Sequence, residues 1–123
     1  MARNRKSAKA AGTRFETAIA TALAAALDDD RIERRARNGA KDRGDVSGIR
    51  VHGQRVVVET KDYGGRFNVA EWLNEVDLER GNDDALISLV VAKRRGVTDP
   101  LEQVVFMTMR DLVAILVGER VDD

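Results

Sequence analysis

Residues 45–61, DVSGIRVHGQRVVVETK, contain two strand candidates joined by a short turn. Val and Ile recur on both sides of His52-Gly53-Gln54, and a Gly-containing break between two such runs is typical of a β-hairpin. We therefore predict strands over Asp45–Val51 and Arg55–Lys61.

The geometry of this hairpin brings charged side chains together. If the loop over residues 52–54 has three residues, Asp45 lies opposite Lys61 and Ser47 lies opposite Glu59. Side chains alternate along a strand, so all four share one face, with Asp45 and Glu59 as diagonal neighbours. A two-residue loop would instead move Asp45 to the other face. The pairing of the two carboxylates therefore depends on the register.

The rest of the chain supplies helices and further strands. Apolar residues at helical spacing predict a first helix, with Thr13 as its N-cap, and a second helix, with Asn68 as its N-cap and Glu71 three residues later. The order is α-β-β-β-α-β-β-α, which predicts an α/β fold with a central mixed β-sheet flanked by helices. The predicted elements outside the hairpin are the helix Thr13–Leu27, the edge strand Arg31–Arg37, the helix Asn68–Arg80, the buried strand Ala85–Ala92, the strand Gln103–Met109 and the helix Arg110–Gly118. We expect residues 1–11 to form a flexible basic arm and residues 12–123 to form a single domain.

Composition excludes several classes of site. The chain has no Cys and one His, which excludes thiolate metal sites, a thiol nucleophile and a multi-His metal site. No apolar run approaches the roughly 20 residues of a membrane span, and residues 1–9 do not resemble a signal peptide. We therefore expect a cytoplasmic protein with no membrane partner.

The zero net charge conceals an uneven distribution. Residues 1–61 carry 14 basic and eight acidic side chains, whereas residues 62–123 carry seven and 13. A basic half of this kind favours a polyanionic partner, most simply nucleic acid. The five aromatic residues are scattered along the sequence, so we expect contacts mainly with phosphates.

Asp45, Glu59 and Lys61 together suit Mg²⁺-dependent hydrolysis of phosphodiesters. Mg²⁺ is bound by one or two carboxylates together with phosphate oxygens and waters. It lowers the pKa of a bound water, and a neighbouring Lys can orient that water or stabilise charge on the phosphate. The backbone carbonyl of Thr60 is a further candidate ligand.

Glu16 has two interpretations. It shares a helix face with Ile19 and Leu23, and a carboxylate on a buried stripe needs a partner such as a metal ion, Lys61 or Arg34. Alternatively, residues 13–16 form a capping box in which Glu16 only accepts a bond from the Thr13 amide.

The combined pattern resembles a known family. Glu16 lies in the first helix, and Asp42-Arg43-Gly44-Asp45-Val46-Ser47-Gly48 is followed across the hairpin by Val58-Glu59-Thr60-Lys61. Over residues 12–118 the chain resembles the PD-(D/E)XK nuclease superfamily, and within it the small Holliday-junction-resolvase-like nucleases of archaeal and phage type. One departure is Gly44, which stands where the motif has Pro.

The resemblance implies a restriction-endonuclease-like fold, a Mg²⁺ site that also accepts Mn²⁺, and endonucleolytic cleavage of branched DNA during recombination or repair. It implies Asp45 and Glu59 as metal ligands, Lys61 as the catalytic lysine and Glu16 as the carboxylate of the first helix. Asp42 competes with Asp45 for its role. A homodimer with two active sites is also implied, in a bacterial, archaeal or phage-infected cell, with no small-molecule substrate.

The expected contacts with DNA involve basic residues and one hydroxyl group. The candidates are Arg3, Arg5, Lys6, Lys9, Arg34, Arg35, Arg43, Ser47, Arg66, Lys93 and Arg94. Three alternatives stay open: a nicking, flap or restriction-like nuclease of the same superfamily, a non-catalytic nucleic-acid-binding module, and a structural α/β module with solvated charges.

Overall fold

A computed structural model of the chain describes residues 3–35 and 41–121, and in these residues the predicted α/β fold is confirmed. The elements follow the order α-β-β-β-α-β-β-α, with the second predicted strand divided into two short pieces. Their bounds are α1 Arg5–Ala26, β1 Glu33–Arg34, β2 Val46–Ser47, β3 Arg50–Val51, β4 Gln54–Lys61, α2 Val69–Asp83, β5 Ile87–Ala92, a 3₁₀ turn at Pro100–Glu102, β6 Val104–Phe106 and α3 Met109–Val117.

The six strands form one mixed sheet. Its order is β1-β2-β4-β5-β6, with β3 paired to the other end of β4. β4 and β5 are parallel and joined through α2, whereas the remaining pairs are antiparallel. Parallel pairing buries β4 and β5 on both faces, which accounts for the continuous run of apolar residues in each.

Alternation along β4 divides the core in two. Val56 and Val58 pack with Phe15 of α1 on one face. Val57 packs with Trp72 and other residues of α2 on the opposite face. Since side chains alternate, Glu59 continues the α2 face of β4 beyond Val57.

The predicted hairpin register is wrong, but the face that it assigns to Asp45 is retained. Val51 pairs with Gln54, so the loop has two residues and not three. Val46 pairs with Val58, and Arg50 of β3 pairs with Arg55. Arg50 is four positions after Val46, but Arg55 is only three positions before Val58, so the segment from β2 to β3 contains one extra residue, a β-bulge. That extra residue cancels the change of face that the short loop alone would cause.

Gly48 lies at this irregularity. Its φ is +90°, and a Cβ atom there would lie 2.4 Å from the carbonyl oxygen of Arg31. Only glycine fits that conformation beside that backbone. The bulge, and with it the face of Asp45, depends on this residue.

Helix α1 begins earlier than predicted. Its N-cap is Asn4, whose side chain accepts a bond from the Ser7 amide, so Thr13 is not the N-cap. Residues 5–11 are therefore helical where we expected a flexible arm. The capping-box interpretation of Glu16 is also wrong, because Glu16 lies well inside the helix.

Other element ends differ by a few residues. Asn68 is the N-cap of α2 as predicted, but its side chain donates to Glu71 and caps no backbone amide. Helix α2 ends at Asp83, beyond the predicted Arg80. β1 is confined to two residues, and Arg37, at the end of the predicted edge strand, lies outside the described residues. Within the described parts of the chain, no helix combines the length and apolar character that a membrane span requires.

Candidate metal centre

The four residues predicted to be catalytic line one cavity of about 710 Å³ at the carboxyl end of β4. Glu16 lies on α1, Asp45 directly precedes β2, and Glu59 and Lys61 lie on β4. The remaining lining residues are Arg3, Ala8, Gly12, Thr60, Asp62, Tyr63, Gly64, Arg66 and Arg95. The tertiary structure therefore brings together the four predicted residues, of which the first, Glu16, and the last, Lys61, are 45 positions apart in the sequence.

Lys61 is held in a defined position. Its Nζ donates to Oε2 of Glu75 on α2 at 2.9 Å, and only 16% of the Lys61 side chain is exposed. Glu75 lies on α2, so this ion pair links β4 to the helix that packs on it. The ammonium group is thereby directed along the α2 face of β4.

Asp45 is fixed by the neighbouring strand. Its Oδ2 accepts bonds from the Thr60 amide at 2.8 Å and from the Thr60 hydroxyl at 3.0 Å. Burial raises the pKa of the Asp45 carboxyl; the two Thr60 bonds oppose this shift, and the negative charge of Asp42 adds to it. Lys61 lowers the same pKa by a smaller amount.

A second set of carboxylates converges next to the cavity. Asp42, Glu59 and Glu79 each place a carboxylate oxygen within 4.8 Å of the other two. Glu59 and Glu79 are buried, and Asp42 is partly buried, with its Oδ1 also accepting a bond from the Gly44 amide at 3.0 Å. Three carboxylate oxygens are the hard donors that Mg²⁺ and Mn²⁺ prefer, and a divalent cation would offset their mutual repulsion. This triad is a candidate metal centre.

The triad differs from the predicted ligand pair. Glu59 belongs to it as expected, but Asp42, the competing candidate, completes the group of three in place of Asp45. Glu79 was not among the residues predicted from the sequence. Helical spacing offered a signal, because Trp72, Val76 and Glu79 form one buried stripe of α2. A carboxylate on such a stripe calls for a partner, as argued for Glu16.

Glu16 itself has a cationic partner. Its Oε2 accepts a bond from Nε of Arg34 at 2.8 Å, which is one of the three partners expected from the sequence. The pair joins α1 to β1 at the edge of the cavity. Arg34 therefore neutralises a carboxylate that faces the site.

The departure at Gly44 has a local cause. The φ of Gly44 is +95°, a conformation that proline cannot adopt because its ring fixes φ near −65°. A Cβ atom at this position would also lie 2.9 Å from the Val57 side chain. Glycine allows the chain to turn tightly between Asp42 and Asp45.

Some of the predicted DNA contacts border the cavity. Arg3 and Arg66 line it, and Arg3 also pairs with Asp62 at 3.1 Å. Arg95, which was not among the predicted contacts, lines it as well. Arg5, Lys6, Lys9 and Arg43 are exposed and are not among the lining residues.

Other predicted contacts are engaged within the protein. Arg35 pairs with Asp83 at 3.8 Å, and the Ser47 hydroxyl donates to the carbonyl of Glu33. Lys93 donates to the carbonyl groups of Arg94 and Val97, and Arg94 donates to that of Glu102. These four side chains stabilise loops and strand ends.

Comparison of the chain with protein-family models, with curated proteins and with solved structures found no match.

Proposed function

We propose that this protein is a metal-dependent endonuclease that hydrolyses DNA phosphodiesters, with four-way or other branched junctions as its substrate. The observation that carries the proposal is the single cavity containing Glu16, Asp45, Glu59 and Lys61, with the carboxylate triad beside it. The resemblance of residues 42–48 and 58–61 to the PD-(D/E)XK motif supports the reaction class. The arginines that border the cavity support an anionic substrate.

The ligand chemistry fits Mg²⁺ or Mn²⁺. Asp42, Glu59 and Glu79 would hold the ion. The resemblance also assigns Asp45 to it, and the Thr60 carbonyl remains the further candidate ligand suggested by its position beside Glu59. Because Oδ2 of Asp45 already accepts two bonds from Thr60, Oδ1 is the oxygen that Asp45 would offer. A bound divalent ion would supply an activated water and offset charge at phosphorus.

Lys61 has a separate role in this proposal. Its ammonium group, positioned by Glu75, would bind a non-bridging oxygen of the scissile phosphate and stabilise negative charge there. Arg66 would hold a flanking phosphate at the rim of the cavity. Recognition through phosphates favours the shape of the DNA over its base sequence.

A cleavage assay tests this function. Purified protein is incubated with a four-way junction, a linear duplex and single strands, in Mg²⁺, in Mn²⁺ and in EDTA. We expect paired nicks in the junction that require the metal and disappear in Glu59→Gln. Glu102→Gln, which removes an exposed carboxylate that does not line the cavity, is the matched control and should cleave normally.

The other outcomes separate the alternatives. Cleavage of every substrate would favour a nuclease of another substrate class. Salt-sensitive binding of DNA without cleavage in either metal would favour a non-catalytic nucleic-acid-binding module. Retention of cleavage by Glu59→Gln would refute the proposed centre.

We also propose a homodimer, because two symmetric cuts need two sites. An exposed apolar face on α3 supports this, with Met109 71% and Leu116 75% exposed. Val105 is also exposed, on the edge strand β6, which directly precedes α3 in the sequence. Leu116→Glu should convert a dimer into a monomer in sedimentation velocity, and an unchanged sedimentation coefficient would refute this interface.

A further inference from the structure

Four aromatic side chains that are scattered in the sequence converge beside the cavity. The Tyr63 and Trp72 ring centroids are 5.5 Å apart, and those of Phe67 and Trp72 are 6.3 Å apart. Phe67 also lies edge-on to Phe106, with centroids at 5.3 Å. The fold therefore builds the aromatic surface that the sequence had argued against.

Tyr63 is the member of this group that reaches the cavity. It is among the lining residues and is 56% exposed. Trp72, which is only 4% exposed, supports the ring from one side with an interplanar angle of 31°. The accessible ring of Tyr63 thus lies two residues beyond Lys61 and packs against the buried Trp72.

The loop that carries Tyr63 is fixed at several points. The Gly64 amide donates to Oδ1 of Asp62, and Nε of Arg95 donates to the Gly64 carbonyl at 3.3 Å. Arg3 donates to both the carbonyl and the carboxylate of Asp62. Because the residues next to Tyr63 are held, a ligand that stacks on the ring has little loop ordering to offset.

Charge complementarity indicates which ligand this surface fits. Lys61, Arg66 and Arg95 line the cavity together with Tyr63, so cationic groups adjoin an aromatic face, although the whole lining holds four basic and four acidic side chains. A nucleotide combines an anionic phosphate with a planar base. In a regular duplex the faces of each base are covered by its neighbours, so only an unpaired base offers a free face.

We propose that Tyr63 is a stacking site for an unpaired nucleobase adjacent to the phosphate held in the cavity. The inference rests on the proposed function in one respect, that the cavity binds DNA. The stacking site adds a specificity determinant, because the protein would prefer DNA in which a base near the bound phosphate is unpaired and unstacked.

The test measures binding in EDTA, so that cleavage plays no part. The probe is a duplex with one unpaired 2-aminopurine, whose fluorescence is quenched by stacking, compared with the same duplex carrying an abasic residue at that position. The wild-type protein should bind the 2-aminopurine duplex about tenfold more tightly and quench its fluorescence at saturation. Tyr63→Leu should lose both the preference and the quenching, and Tyr63→Phe should retain both.

Phe67→Leu is the matched control, because Phe67 contacts Trp72 but is not among the residues that line the cavity. It should retain the preference. Equal affinity of the wild-type protein for the two duplexes, or a preference that survives in Tyr63→Leu, would overturn the stacking site while leaving DNA binding intact. A complete absence of DNA binding would instead overturn the proposed function and this inference with it.

Discussion

Replacement of Glu59 by Gln should stabilise the metal-free protein while abolishing its activity. Glu59 and Glu79 are buried, and their carboxylate oxygens lie within 4.8 Å of each other and of Asp42. Gln has the same shape as Glu but no charge. The substitution therefore removes two like-charge contacts and creates no cavity.

The expected size of the effect follows from this geometry. Two unit charges 4.8 Å apart repel by about 3.5 kcal/mol at an effective dielectric constant of about 20. Allowing for neighbouring positive charges, we expect Glu59→Gln to gain about 2 kcal/mol, which raises Tm by about 6–10 °C in a chain of this size.

Thermal unfolding followed by circular dichroism provides the assay. The assay compares wild type, Glu59→Gln and the exposed control Glu102→Gln. Each protein is measured in EDTA and in about 10 mM Mg²⁺, a concentration chosen to saturate the metal site. Mg²⁺ should raise the Tm of wild type and of the control by several degrees, and that of Glu59→Gln by less. A lower Tm for Glu59→Gln in EDTA, with an equal response of all three proteins to Mg²⁺, would refute the idea that the triad is a repulsive cation site.

Three further predictions follow from individual contacts. Glu75→Gln should slow single-turnover cleavage about tenfold with DNA affinity unchanged, because the hydrogen bond that positions Lys61 weakens; an equal loss in filter binding would contradict this. Asp111→Ala should destabilise the fold by about 3 kcal/mol in urea unfolding, since it leaves Arg120, 2.7 Å away, without its buried carboxylate; a loss below about 1 kcal/mol would contradict it. The pKa of Asp45 is raised, so its ionisation disfavours the folded state, and wild type should lose stability relative to Asp45→Asn as pH rises above about 4. Urea unfolding from pH 3 to 7 measures the difference in unfolding free energy between the two proteins. A difference that does not change with pH would be inconsistent with the raised pKa.

Much of the fold could be predicted because the signals are local. Alternation and β-branched residues identified the hairpin strands, and apolar spacing identified the helices. The start of α1 was missed because Asn4 and Ser7 form the cap within a basic, polar segment that has no apolar stripe. A local hydrogen bond outweighed the composition there.

The site was predicted in part. Lys61 and Glu59 share a face under any register of β4, so their proximity follows from strand geometry alone. The face of Asp45 depended on two irregularities that cancel, the two-residue loop and the bulge at Gly48. A sequence pattern can identify each glycine, but it does not determine how the resulting shifts combine.

The amino-acid sequence alone is sufficient to predict the α/β class, the order of elements, the basic character of the first half and the acidic residues available for a metal. Each depends on residue type or on spacing within one element. The tertiary structure decided which acids meet: α2 folds back over β4 and brings Glu79 to Glu59, while a turn at Gly44 brings Asp42 to the same point. It also gathered Tyr63 and Trp72 at the rim of the cavity. Contacts of this kind depend on the packing of whole elements against each other, because burial of the shared core fixes their relative positions and no local signal encodes them.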